Sequence, residues 1–212
     1  MKVLVLNGSP KGEYSITLQT SLYLEKKFTE HKFQFLHVGQ YIRSFEKDFS
    51  AVVDAVTDAD LIIFSYPVYT FIAPSQLHRF IELLKASGLN VSGKFVTQIT
   101  TSKHFYDVTA HKYIQDNCQD LGMKYIKGLS ADMDDLLTEE GQKTAGEFFE
   151  YVCWCMEHDI YETIPVHATA PKHLPVSTAI SGQDKKSGDV VIVTDCAKDD
   201  KQLNDMIDRF RA

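Results

Sequence analysis

The chain opens Met1-Lys2-Val3-Leu4-Val5-Leu6-Asn7-Gly8-Ser9-Pro10-Lys11-Gly12-Glu13-Tyr14-Ser15-Ile16-Thr17. Val3 to Leu6 is a continuous apolar run, the pattern of a strand buried on both faces. It passes without a spacer into glycines at 8 and 12 and hydroxyls at 9, 15 and 17. From Ser15 to Phe28 the i,i+4 pairs Leu18/Leu22 and Leu24/Phe28 mark a helix. A buried strand, a short polar loop and a helix make the first part of a βαβ unit, from which parallel sheets are built.

Working outward, the same alternation repeats. Leu61-Ile62-Ile63-Phe64 is a second buried run and Phe95 to Thr100 a weaker third, while Phe33 to Val38 and Lys124 to Leu129 are more polar and read as edge strands. Between them lie helical stripes: Phe49, Val52, Val53, Val56; Leu77, Phe80, Ile81, Leu84; Ala110, Ile114, Cys118, Leu121; and Ala145, Phe148, Phe149, Val152. Five strands and five helices in strict alternation predict an α/β domain with a doubly wound parallel sheet between two helix layers. Right-handed crossovers and a central first strand favour the flavodoxin-like order 2-1-3-4-5. Periodicity alone also admits 3-2-1-4-5, so the loops must decide. This domain is expected over residues 1–160. Residues 161–212 read as a C-terminal extension: a strap from Tyr161 to Ser187, a strand at Val190 to Val193, and a helical stripe of Leu203, Met206, Ile207 and Phe210. One strand and one helix cannot bury themselves. The extension is therefore expected to be a dimer arm or the start of a further domain.

Composition narrows the function. The 212 residues carry 22 Lys+Arg against 29 Asp+Glu, a net charge of −7 that argues against nucleic acid as a partner. The cysteines at 118, 153, 155 and 196 form no CxxC pair and are too sparse for a secreted disulfide framework, which fits a reducing cytoplasm. The N-terminal run is too short for a signal peptide, and no apolar stretch approaches the roughly 20 residues that span a bilayer. A cytoplasmic protein without membrane insertion is expected.

In an open parallel sheet, ligands bind beyond the carboxyl ends of the strands where the strand order reverses. The loops expected there are Asn7 to Ser15, Ser65 to Pro74 and Thr100 to Asp107. The first reads as a phosphate cradle, with hydroxyls and glycines leading into a helix N-terminus. Neither GxxxxGK[ST] nor GxGxxG with an acidic residue closing strand 2 is present, since His37 and Val38 stand there, which disfavours nucleoside triphosphates and dinucleotides. The plainer reading is a turn with Ser15 as a helix N-cap. The second loop carries Tyr66, Tyr69 and Phe71, rings that call for a planar ligand or a subunit partner. The third, Thr100-Thr101-Ser102-Lys103-His104-Phe105-Tyr106-Asp107, could hold the polar edge of a heterocycle or merely cap the next helix through Asp107.

These residues resemble the NAD(P)H-dependent FMN reductases and quinone reductases of the flavodoxin-like superfamily. The resemblance rests on Asn7-Gly8-Ser9-Pro10-Lys11 leading to Ser15-Ile16-Thr17, with Pro67-Val68-Tyr69 followed by Pro74-Ser75-Gln76-Leu77 and Phe80-Ile81, and it spans roughly residues 1 to 155. It implies that Ser9, Lys11, Ser15, Ile16 and Thr17 bind the FMN phosphate. Pro67, Val68, Tyr69 and Thr70 then lie along the ring system, with Thr101, Ser102 and His104 at its polar edge or the ribityl chain. It also implies NADH or NADPH as co-substrate, a small-molecule electron acceptor such as a quinone or free flavin, and a homodimer. The sequence departs from the family at Lys11 to Thr17, where Ile16 supplies only a backbone donor and Glu13 brings a like charge near the phosphate.

In such an enzyme the flavin does the chemistry and no side-chain nucleophile is needed. His104, as a cation, is then the candidate for stabilising charge on the reduced ring, and Tyr69 and Tyr106 the candidates for flanking its open face. The rival reading is a flavodoxin-type electron carrier without NAD(P)H oxidase activity of its own. A third is a binder of a phosphorylated ligand with no redox role. Other signals read as structural. Cys153-Trp154-Cys155 places Cys153 on the buried stripe and suits no metal or disulfide. His158 and Glu162 form a surface pair, and His167 and His173 lie in the strap without a partner. Asp132, Asp134 and Asp135 form a solvated turn far from the phosphate site.

Overall fold

The computed structural model describes residues 1–104, 106–163 and 199–211. It divides into two compact units, Met1–Pro165 and Val166–Ala212. Phe105, His167, His173, Cys196, the strand expected at Val190 to Val193 and most of the expected strap lie outside the described residues.

In the first unit, β1 (Lys2–Asn7) pairs in parallel with β2 (Lys32–Leu36) on one side and β3 (Leu61–Pro67) on the other. β4 (Phe95–Thr101) follows β3, and its far side takes β5 (Lys124–Tyr125) and β6 (Leu129–Ala131). The order is β2-β1-β3-β4-β5 with β6 also on β4, which is the expected 2-1-3-4-5 arrangement. The helices are α1 (Ile16–Lys27), α2 (Ile42–Phe45), α3 (Ser50–Asp58), α4 (Ser75–Ala86), α5 (Val108–Asp120) and α6 (Glu139–Glu157). In the second unit the described helix is α7 (Lys201–Arg211).

Alternate strand residues go to opposite cores because successive side chains of a strand point to opposite faces. Leu4, Leu6, Ile62, Phe64 and Tyr66 pack with Val52 and Val56 of α3, Leu77, Phe80 and Ile81 of α4, and Ala110, Ile114 and Cys118 of α5. Val3, Val5, Leu61, Ile63 and Ile99 pack on the other face with Leu18 and Leu24 of α1 and Ala145, Phe149, Val152 and Cys155 of α6. Two helix layers thus cover the sheet, as its continuous apolar runs require.

Several local readings are corrected. The fifth strand is broken into β5 and β6, and between them Gly128 lies so close to Gln98 that a Cβ there would sit 2.3 Å from Gln98 Cγ and 2.6 Å from its carbonyl oxygen. Gln98 spans that gap to reach the Tyr66 hydroxyl, which donates to Gln98 Oε1 at 2.5 Å, and the Tyr125 hydroxyl and His111 carbonyl on its amide side. Strand 2 ends at Leu36, so that Val38 and Gly39 turn and the Gly39 N–H reaches the Asn7 carbonyl at 3.0 Å. On α6 the buried cysteine is Cys155, with Cys153 half-buried beside it, because the stripe continues three residues beyond Val152.

The register levels the functional ends. Asn7 is opposite Ser65, Pro67 opposite Thr101, and Thr101 opposite Ala131. The carboxyl ends of β1, β3, β4 and β6 therefore share one rim of the sheet.

Candidate functional site

The first loop is organised by Asn7, a buried amide at the end of β1. Its Nδ2 donates to the Gly12 carbonyl at 2.8 Å and to His37 Nδ1 at 3.0 Å, and its Oδ1 accepts from the Ser9 N–H at 3.1 Å. Gly12 turns the loop with φ +56°, a conformation that costs glycine little. Ser9 Oγ accepts from the Lys11 N–H at 3.3 Å. The loop is thereby pre-formed around Ser9 and the start of α1.

The Ser15 hydroxyl makes no capping hydrogen bond, although Ser15 occupies the N-cap position of α1. The plain N-cap reading is therefore overturned. Thr17 Oγ1 is buried and has no hydrogen-bond partner. An unpaired buried hydroxyl costs about 1–3 kcal/mol, and here it stands beside a helix start whose first N–H groups lack intrahelical acceptors. Both lines of orphaned donors meet in one cavity of about 270 Å³. Its walls include Ser9, Lys11, Ser15, Ile16 and Thr17 from the first loop and α1, and Pro67, Val68 and Tyr69 after β3. Thr101, Ser102 and Lys103 close it after β4, with Asp132 and Met133 after β6. Hydroxyls, helix N–H groups and a lysine suit a dianionic phosphate, and the adjoining Pro67-Val68-Tyr69 wall suits a flat ring. Glu13 is exposed and is not among the lining residues, which removes the like-charge conflict at the cradle.

Asp107 anchors the third loop from below. It stands at the N-cap position of α5 but caps nothing with its side chain. Instead Thr100 Oγ1 donates to Asp107 Oδ2 at 2.7 Å, and His111 Nε2 lies 3.3 Å from the same oxygen. Burial alone would raise this carboxyl, but the hydroxyls of Ser130, Thr100 and Ser102 and the nearby imidazole outweigh it and hold its pKa below the ordinary range. Burial is also the main reason that the His111 pKa is lowered. Asp107 is thus a buried anchor rather than a solvated cap.

His104 is turned to β6 and is not among the residues lining the cavity. Its Nδ1 lies 3.0 Å from the Ser130 carbonyl and its Nε2 3.1 Å from Asp135 Oδ1. Both partners are acceptors, so both ring nitrogens are satisfied as donors only in the imidazolium. The small burial of the ring would lower its pKa, but Ser130 and Asp135 outweigh this and raise it above 6.5. Asp135 Oδ2 also accepts from the Asp132 N–H at 2.9 Å, so one carboxylate ties His104 to the turn that carries Asp132 and Met133. A group whose folded pKa is raised contributes fully below its unfolded pKa and loses the contribution as pH rises through the folded one. The latch therefore holds in acid and weakens above the usual histidine range. Followed by NMR, the His104 titration midpoint should lie above 6.5 and move down towards it in Asp135→Asn; an unmoved midpoint would remove the latch.

The second loop closes on itself through Tyr69 and Ile72, which exchange backbone hydrogen bonds at 2.9 and 3.2 Å. Its central residues Thr70 and Phe71 have φ +49° and +71°, both in the left-handed region that a two-residue hairpin turn requires and that glycine or asparagine usually supplies. Thr70, Phe71 and Tyr106 line a second cavity that adjoins the first.

Of the residues picked out in the sequence, Ser9, Lys11, Ser15, Ile16, Thr17, Pro67, Val68, Tyr69, Thr101 and Ser102 meet at the first cavity, Thr70 and Tyr106 line the second, and His104 lies behind the third loop. Asp132 was expected far away and instead lines the first cavity, because β6 runs parallel to β4 and ends at the same rim. Lys103 and Met133 join it there, and Asn7, His37 and Gly39 shape the cradle from outside. The spacing of His158 and Glu162 has another use: Glu162 accepts from Gln115 Nε2 at 2.6 Å and through its backbone carbonyl from Gln119 at 3.1 Å, while His158 Nδ1 lies 2.9 Å from the Trp154 carbonyl. Among the described residues no group of three or more His, Cys, Asp or Glu could hold a metal, and no helix is long and apolar enough to cross a membrane.

No curated protein sequence is similar to the chain at a significant level. Solved structures share its fold. An NADH:FMN oxidoreductase, EMOB, in its apo form superposes with a TM-score of 0.61 at 16% identity, covering 77% of this chain and 91% of that one. The NAD(P)H:acceptor oxidoreductase FerB from Paracoccus denitrificans gives 0.55 at 18%, covering 72% and 97%. A flavodoxin from the Archaea gives 0.52 at 13%, covering 74% and 100%. Both enzymes and a carrier thus stand on this architecture. The model of one family, described as NADPH-dependent FMN reductase, matches residues 1–132, a span that contains all three site loops and ends at Asp132. The chain belongs to the NADPH-dependent FMN reductase family, with FMN as its cofactor and NAD(P)H as co-substrate.

Proposed function

We propose that the chain oxidises NAD(P)H and delivers the electrons to a small acceptor, a quinone or free flavin, at the cavity between the loops after β1, β3 and β4. The observation that carries this reading is the pair of adjoining cavities, which share Val68, Ser102 and Lys103. One can hold a cofactor while the other leaves room for a small molecule.

Ser9, Ser15 and Thr17 hold the FMN phosphate through hydroxyls, Ile16 through its backbone N–H, and Lys11 through its charge. Pro67, Val68 and Tyr69 lie along the ring and exclude water from it. Thr101 and Ser102 would stand at its polar edge, where negative charge grows on reduction. When bound, FMN would supply the hydride- and electron-transfer chemistry between the nicotinamide and the acceptor. Tyr69 and Tyr106 flank the open face. His104, with both nitrogens engaged, acts on this site by fixing the loop that carries Thr101 to Lys103.

The net charge of −7 also suits the second reading, an electron carrier with protein partners. Flavin titration followed by steady-state oxidation of NADH or NADPH with menadione separates the two. The expected result is FMN uptake with sustained turnover in the absence of any other protein. FMN uptake with almost no turnover would establish the carrier, and no FMN uptake would overturn both.

A further inference from the structure

Beneath the third loop lies a buried charge that binding of the cofactor does not use. Asp107 is only 4% exposed and occupies the N-cap position of α5, where its side chain caps nothing. The Thr100 hydroxyl oxygen is 2.7 Å from Asp107 Oδ2, 2.8 Å from His111 Nε2 and 3.3 Å from the Leu129 carbonyl. A hydroxyl has a single proton to give, and the carboxylate is both the nearest acceptor and the charged one. His111 Nε2 must then carry a hydrogen and donate to Thr100. The result is a fixed chain from imidazole through hydroxyl to carboxylate.

This chain orders the carboxylate without neutralising it. Burial, with Lys127 pushing the same way, outweighs the attraction of Asp107 and keeps the His111 pKa below 6.5, so the ring is uncharged at neutral pH. No lysine or arginine pairs with Asp107 among the described residues. The hydroxyls of Ser130, Thr100 and Ser102 keep it ionised, and the positive end of α5 acts in the same direction. An ionised group met only by neutral donors keeps its whole charge, and out of water that charge is screened far less than one at the surface.

The charge stands directly behind the first cavity. Thr100 leads into Thr101 and Ser102, which line that cavity, and it lies in register with Ser130, two residues before Asp132, which lines it too. Lys11 and Lys103 are also on its wall, but both are exposed and therefore screened.

We infer that Asp107 is a positioning residue that sets the reduction potential of the bound flavin, its fixed negative charge behind Thr101 and Ser102 opposing the charge that grows on the ring. The inference rests on the reading of the first cavity as the FMN site. Asp107 touches neither cofactor nor substrate; it acts across the hydroxyls that separate it from the cavity, and it makes the bound flavin a stronger reductant.

The test loads the parent chain, Asp107→Asn and Asp107→Ser with FMN and measures the potential by equilibration with dyes of known potential. Asparagine keeps the shape and an oxygen for Thr100. Serine is a preferred helix N-cap residue and supports the start of α5 should asparagine fail to fold. Both remove the charge. In each variant the redox equilibrium of the bound flavin should move roughly tenfold towards the reduced form, a rise of about 30 mV for a two-electron couple. Linkage requires the same factor to appear as tighter binding of reduced relative to oxidised FMN, which titrations under reducing and oxidising conditions read independently. A carboxylate that only shapes the loop would change both affinities together and leave the potential unchanged or lower. A rise below about threefold in the equilibrium, or any fall, in the variants that fold overturns the inference. Uptake of FMN without the rise strikes this inference alone, whereas no uptake by the parent chain overturns the reading of the first cavity and this one with it.

Discussion

Gly39→Ala should lower FMN affinity by about a hundredfold or more, although residue 39 is not among those lining the cavity. A Cβ at position 39 would sit 2.3 Å from the Gly8 carbonyl oxygen and 2.6 Å from the carbonyl carbons of Gly8 and Ser9. These are backbone atoms, with no side-chain rotation to relieve the contact. Gly39 is not at positive φ, so the alanine itself is unstrained and the whole cost falls on the approach of the two loops. Either the Gly39 N–H leaves the Asn7 carbonyl, or Gly8 and Ser9 move away from Ser15 and Thr17. A displacement near 1 Å is enough to break charge-assisted hydrogen bonds worth about 1.5–3 kcal/mol each. Flavin fluorescence titration measures the affinity. Circular dichroism and thermal unfolding show whether the sheet survives, with a stability cost of about 1–3 kcal/mol, typical of overpacking. FMN affinity within about threefold of the parent would show that the contact between these loops does not set the cradle.

Gly39 also marks the limit of what the sequence discloses. The strand runs are legible because a strand buried on both faces must be apolar throughout, and the helices because each shows one stripe to the sheet. That Ser9, Ser15 and Thr17 meet at one cavity is legible, since hydroxyls at the handover from strand to helix have few other uses. Gly39 leaves no such signal: its reason is Gly8, 31 positions earlier and in contact only once β1 and β2 have paired. The close approach of Gly128 to Gln98, whose side chain reaches Tyr66, Tyr125 and His111, is equally hidden. Asp107 looks like a helix cap and becomes a buried anchor because Thr100 supplies its donor. The sequence offers His104 as a cation near the flavin, but the structure turns it to Ser130 and Asp135, which favour its charge for a structural task. In each case the deciding partner is distant in sequence, and local pattern cannot report it.

Thr17→Val should change two measurements in opposite directions, and that opposition separates a ligand-binding hydroxyl from a structural one. Thr17 Oγ1 is buried without a partner, so the ligand-free chain carries the cost of its desolvation. Valine has nearly the same shape and no polar atom. The ligand-free variant should therefore unfold at the same free energy as the parent or about 1 kcal/mol above it. With a phosphate in the cradle the hydroxyl gains an anionic acceptor, and a hydrogen bond to a charged group is worth about 1.5–3 kcal/mol. FMN affinity should accordingly fall roughly ten- to a hundredfold in the valine variant. Thr17→Ser provides the converse. It keeps the hydroxyl and deletes a buried methyl, so it should hold FMN within a few-fold of the parent while losing about 1 kcal/mol of stability. The stability order is then Val at or above Thr above Ser, and the affinity order is Thr near Ser above Val. If valine lowered both quantities, Thr17 would be bonded within the protein. If it lowered neither, the phosphate would lie elsewhere, and the roles given to Ser9 and Ser15 would fail with it.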